Sequence, residues 1–112
     1  IELKMKFGNI NNFVRGWVVG NFEPSLFKTI ANDIGILRAN KGDKSDGHFH
    51  KEHTEYNIII NGKVKIQDNI LIENDIFIYE PLDKSFVEFL ENTILLVIKN
   101  PSTCNDKHYD LK

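Results

Sequence analysis

Three residues able to hold a metal ion fall within eight positions of one another: His48, His50 and Glu55. Along an extended strand alternate side chains share a face, so His48 and His50 point the same way while Phe49 points into the opposite environment. A turn across Lys51-Glu52-His53-Thr54 brings Glu55 back beside them on an antiparallel neighbour. Two imidazole nitrogens and one carboxylate would then surround a common point with coordination positions left open. Such a set suits non-haem Fe(II), Mn, Ni or Zn and does not choose among them. The competing reading is a metal-free polar cluster, in which the histidines hydrogen-bond the carboxylate and shape a pocket. Lys51, Glu52 and His53 lie in the connecting turn, where solvated side chains are expected.

Strands must position these groups. From about Asp33 onward, short β-branched and aromatic runs are separated by Asn, Gly, Asp and Pro, as a sandwich or barrel requires. Turn chemistry marks Asn40-Lys41-Gly42-Asp43, Asn61-Gly62, Asp68-Asn69, Glu73-Asn74-Asp75 and Leu82-Asp83-Lys84. Between them the pattern predicts strands at 34–39, 47–51, 55–60, 63–67, 70–72, 76–79, 85–90 and 93–98. Val64 and Ile66 alternate with Lys63 and Lys65, and Val87 and Phe89 with Phe86 and Glu88, which marks one buried face on each strand. The runs 58–60 and 94–98 are apolar on both faces. They are expected to be central strands, or strands whose outer face meets another subunit. Residues 1–33 are less regular. Leu26, Phe27, Ile30, Ala31 and Ile34 have helix-compatible spacing, but the β character around them favours a strand or turn. Trp17, the only tryptophan, is assigned to the core, with a pocket wall as the alternative. The tail from Pro101 is polar and expected to fray.

Taken with its bracketing glycines, the cluster resembles the first motif of the cupin family. Gly42, five residues, His48-Phe49-His50, four residues, Glu55, six residues and Gly62 match that motif position for position over twenty-one residues. The resemblance implies an all-β fold, a small jelly-roll-like β-barrel, often a homodimer, with a metal or small molecule in its mouth. The family's second motif corresponds only in part to Asn74-Asp75 and to Glu80-Pro81-Leu82-Asp83-Lys84-Ser85. Ser85 stands where the family's last histidine is expected. Serine is a poor metal ligand at neutral pH, so the resemblance implies a three-ligand site completed by water or substrate, or weak binding. His53 is the candidate substitute.

The bulk composition narrows the function classes. At 112 residues the chain is read as a single cupin domain, 1–112, long enough for one core. Fourteen basic against sixteen acidic residues leave no positive field to gather nucleic acid or an anionic membrane. Runs such as Ile94-Leu95-Leu96-Val97-Ile98 fall far short of the roughly 20 apolar residues that span a bilayer. Glu2, Lys4 and Lys6 interrupt the apolar start, unlike a secretory signal, so a cytoplasmic location is expected. The sole cysteine, Cys104, is expected to be an incidental exposed thiol. No Ser-His-Asp ordering, phosphate-cradling glycine loop or Cys-x-x-Cys pair is present. The reading is a small metal-binding cupin acting on a small organic molecule by oxygenase, isomerase or lyase chemistry. The alternative is a non-catalytic or metal-free cupin that binds a sugar or another metabolite. A homodimer is expected in either case.

Overall fold

The computed structural model describes residues 5–110, so Glu2 and Lys4 lie outside the described part. Its strands are β1 (Trp17–Gly20), β2 (Phe27–Lys28), β3 (Asp33–Ala39), β4 (Thr54–Asn61), β5 (Lys63–Ile66), β6 (Asn69–Ile72), β7 (Ile76–Tyr79), β8 (Val87–Phe89) and β9 (Thr93–Asn100). Two short 3-10 turns, Ile10–Asn12 and Val14–Gly16, precede β1. The stretch around Phe27 forms a two-residue strand parallel to β1 and no helix.

A six-stranded sheet in the order β2-β1-β3-β9-β4-β7 faces a three-stranded sheet in the order β6-β5-β8. The long apolar strand β9 lies inside the large sheet, paired with β3 from Asp33↔Lys99 to Ala39↔Thr93 and with β4 from Thr54↔Asn100 onward. This is the central position that apolarity on both faces predicts. Leu95 and Val97 point inward and are buried, while Ile94, Leu96 and Ile98 point outward and are half-buried. Ile59, Val64, Tyr79, Val87, Phe89, Leu95 and Val97 form the core between the sheets. Alternation on β5 and β8 holds, since Val64, Val87 and Phe89 are buried and Lys65 and Phe86 are exposed.

Both bracketing glycines have a backbone reason. Gly42 has φ +94 and Gly62 φ +120, a region that favours glycine, and a Cβ at Gly62 would lie 2.3 Å from the buried Thr93 hydroxyl oxygen. Two expectations are corrected. Residues 47–51 make no regular strand; the run holds only an isolated bridge, Phe49↔His108. The described part of the polar tail, residues 101–110, does not fray. It folds back over the barrel mouth, where Phe49 and His108 exchange both backbone hydrogen bonds at 2.9 Å and Asp106 becomes buried. Side-chain acceptors on the tail replace a sheet ladder as its anchor, which apolar periodicity does not reveal.

Candidate metal centre

His48 and His50 lie on the irregular run that enters the mouth. Its antiparallel neighbour is the stretch 82–85 and not β4: Gly47 N–H donates to the Ser85 carbonyl at 2.9 Å, and Ser85 N–H to the His48 carbonyl at 2.8 Å. The expected alternation survives without a ladder. His48 and His50 both line the cavity, and the Phe49 ring lies against that of His108. Glu55, near the start of β4, points inward beside them, with Oε1 3.8 Å from His50 Nε2 and Oε2 accepting from the Asn57 amide at 3.2 Å. The His48 ring centre is 5.0 Å from that of His50.

Each of these imidazoles is held through its Nδ1. His50 Nδ1 lies 2.7 Å from the Asp106 carbonyl oxygen, which can only accept, so Nδ1 carries the proton and Nε2 the lone pair. His48 Nδ1 lies 2.6 Å from an Asp46 carboxylate oxygen and donates to it, with the same result. His53 was expected in solvent and is instead 2 % exposed. Its Nδ1 sits 2.6 Å from the Thr103 hydroxyl and 3.1 Å from Asp106 Oδ2. The Nε2 atoms of His50 and His53 are buried and have no protein partner. A buried acceptor without a partner is costly, and two side by side describe a place for a cation or a donor group. Metal-bound histidines have this arrangement, with the far ring nitrogen donating to a carbonyl or carboxylate that fixes the tautomer.

His50, His53 and Asp106 each offer an atom within 4.8 Å of the others. Asp106, however, is already saturated. Its Oδ1 accepts from Lys51 N–H at 3.0 Å and faces His108 Nε2 at 3.1 Å, and its Oδ2 accepts from Glu52 N–H at 2.9 Å and lies 3.1 Å from His53 Nδ1. It is a clamp that fixes the 51–53 turn and aims His53. Burial raises its carboxyl, but the Lys51 and Glu52 amides and His108 outweigh burial and hold it below the usual range. Burial lowers His50, with His48 and Lys99 adding to it, and burial takes His53 down to about 4 with help from His50 and Lys99. Both rings are therefore neutral near pH 7, the form that binds a metal.

Ser85 is buried in the same wall, and its hydroxyl donates to the Tyr79 hydroxyl at 3.2 Å. Burial pushes Tyr79 up to about 12, so it is a neutral phenol. These residues surround a cavity of about 740 Å³, with Val87, Phe89, Leu95 and Val97 at its floor and Trp17 and Lys99 on its wall. That volume suits a small organic molecule. Trp17 packs against the core and also faces the cavity, so both readings of it hold. Sequence reasoning missed Asp106, Thr103 and Lys99. His53 has a positional signal, two residues before Glu55; the tail residues lie roughly 50 positions from their partners and have none.

No family profile matches the sequence, and no curated protein matches it. Solved structures do match its shape. An uncharacterised conserved protein with a double-stranded β-helix domain from Klebsiella pneumoniae aligns over 100% of both chains, with a TM-score of 0.70 and 14% identity. KdgF from a Halomonas species aligns over 67% of this chain and 74% of its own, with a TM-score of 0.61 and 16% identity. The DMSP lyase DddQ from Ruegeria pomeroyi aligns over 82% of this chain and 48% of its own, with a TM-score of 0.68 and 12% identity. With two facing sheets, a histidine-lined mouth and these neighbours, the chain has the double-stranded β-helix fold of the cupins.

Proposed function

We propose that this chain, read as one cupin domain, holds a divalent metal through His48, His50 and Glu55 and acts on a small organic molecule in the cavity above it. His53 serves as the further nitrogen ligand in place of the histidine missing at Ser85. The observation that carries this reading is the pair of buried Nε2 atoms on His50 and His53, both left without a partner by hydrogen bonds at Nδ1. Iron, manganese, nickel and zinc all accept such a donor set. A metal there would polarise a carbonyl or enolate, or bind dioxygen, which are the steps that lyase, isomerase and oxygenase chemistry need. The chain's own residues supply the rest. Asp46, Asp106 and Thr103 fix the imidazoles, Tyr79 offers a neutral hydroxyl donor, and the apolar floor excludes water. That a structural neighbour is a DMSP lyase favours the lyase branch.

Ser85 in place of the family's last histidine favours one other reading, a metal-free cupin that binds a sugar or other metabolite. Metal analysis by plasma mass spectrometry, on protein purified without tag or chelator and beside His50→Ala, separates the two. Near-stoichiometric metal that disappears in the variant is the expected result. No metal in either sample, even after reconstitution, leaves the binding module.

A homodimer belongs to the same reading. Tyr56, Ile58, Ile76, Ile78, Leu96 and Ile98 neighbour one another on the outer face of β4, β7 and β9, and Tyr56, Ile76 and Ile78 are exposed. A second copy packed there about a two-fold axis would bury the patch against itself. Sedimentation should report twice 13.0 kDa; a monomer at micromolar concentration would refute the pairing. Among the described residues no helix is long and apolar enough to cross a membrane. The free thiol of Cys104 suits the reducing cytoplasm, the compartment we assign.

A further inference from the structure

Lys99 is out of place on its strand. It follows Leu95 and Val97 on the inward face of β9, the strand paired on both sides within the large sheet, where the pattern asks for another apolar residue. Both register neighbours are acidic, Asp33 on β3 and Glu55 on β4. Lys99 nevertheless forms no ion pair among the described residues. Asp33 accepts from the Ser102 hydroxyl, and Glu55 is engaged by Asn57 and faces His50. The ammonium instead sits 4.7 Å from the centre of the Trp17 ring, and both residues line the cavity. Its register partner Glu55 lies 3.8 Å from His50, so the ammonium shares its end of the cavity with the histidine cluster.

The other acidic groups at or beside the cavity are also engaged, Asp43 by the Asn40 N–H at 2.8 Å. Asp106 has its donors, and Asp46 accepts from His48 and from the Tyr109 hydroxyl at 2.7 Å and lies 3.5 Å from the Lys107 ammonium. A half-buried ammonium without a carboxylate costs free energy that a bound anion would recover. We propose that Lys99, held over Trp17, anchors the anionic end of the ligand, and that the ligand is a small carboxylate whose other end reaches the histidine cluster. A phosphate would call for several converging donors or an arginine fork; of the other cations that line the cavity, Arg38 and Lys44 are exposed and Lys107 lies 3.5 Å from Asp46, which leaves Lys99 and the Trp17 plane as the inner anchor. The inference rests on the cavity being the ligand site, and it names the class of substrate.

Trp17 is the only tryptophan, so its fluorescence reports from beside the proposed anchor. Malonate, its uncharged analogue malonamide and inorganic phosphate are titrated into wild type, K99M, K99R and K65Q, each metal-free and metal-loaded, with metal content measured separately. Malonate should give a saturable change in wild type. The affinity should fall at least about tenfold in K99M, the loss of one charge-assisted hydrogen bond, and recover in part in K99R. Lys65, an exposed cation on β5 outside this cavity, serves as the control for general charge, and K65Q should bind as wild type does. Malonamide and phosphate should give no saturable change. Equal malonate affinity in wild type and K99M, equal binding of malonamide, tighter binding of phosphate, or no saturable response in wild type would each overturn the proposal. K99M should keep its metal, because Lys99 is not a ligand. If no protein holds metal but the K99M difference persists in the metal-free samples, the metal reading fails and the anchor stands.

Discussion

The two ends of this barrel are held by different forces. Its floor is made by paired strands that press Ile59, Val64, Val87, Phe89 and Leu95 together, with Ile59 and Val64 fully buried. Its mouth is made by irregular chain, the run 44–53 and the tail 101–110, joined by hydrogen bonds from backbone amides and imidazoles to Asp46, Asp106 and Thr103. Apolar packing is non-directional and tolerates repacking, whereas a hydrogen-bonded clamp fixes orientation within a narrow range. The floor therefore carries stability and the mouth carries geometry, so damage to the two should separate in experiment.

The largest effect is expected from the floor. Leu95→Ala removes a side chain that is 2 % exposed, and such truncations cost about 2–5 kcal/mol. Urea unfolding should show that loss while the folded fraction keeps its metal stoichiometry. Asp106→Ala should do the reverse in proportion. It leaves two backbone amides without their acceptor and removes the carboxylate beside His53 Nδ1, and loss of such outer partners weakens metal binding by about 10-fold to 100-fold. Competition against a chromogenic chelator measures this. If Leu95→Ala loses metal affinity as strongly as Asp106→Ala does, the two ends are not separable.

Acidification should act on the mouth as well. His53 is lowered from the ordinary 6.5 to about 4, and His50 is lowered too, so the unfolded chain binds more protons than the folded one between these values. Stability then rises with pH across that window and is lost as pH falls from about 6.5 towards about 4. Asp106, depressed from 3.8, contributes stability that is lost only at lower pH, outside this window. Urea midpoints of the metal-free protein should fall from pH 7 to pH 5, and His53→Gln should flatten that slope. An unchanged slope in the variant would remove His53 from the account.

How much was readable before the structure follows the same division. The strands β5, β8 and β9 were legible, β5 and β8 with their inward faces, because alternation and two-sided apolarity follow directly from where a strand sits in a sheet. The spacing of His48, His50 and Glu55 was legible because all lie on one short run and its return. His53 was misjudged: a histidine in a turn is solvated unless something covers the turn, and here the tail covers it. Asp106 belongs to a polar segment with no periodicity, and its role depends on contacts to residues 51–53 that local pattern does not encode. Lys99 lies just beyond the predicted strand 93–98; β9 runs on to Asn100, and the alternation that buries Leu95 and Val97 turns Lys99 inward.

The smallest expected effect lies where the two ends meet in sequence. Leu82 has φ 78, in the left-handed region, and its N–H donates to the His50 carbonyl at 2.7 Å. A bulky residue pays a conformational cost there that glycine does not. The side chain is 65% exposed, so little packing would be lost on removing it. Glycine gives back some of that gain through the greater freedom of its unfolded chain. Leu82→Gly should therefore stabilise the fold by no more than about 1 kcal/mol, read as a small rise in the urea midpoint. Metal affinity should be unchanged, because the Leu82 amide keeps its bond to His50. A fall in stability would show that the Leu82 side chain contributes more to closing the mouth than its backbone costs.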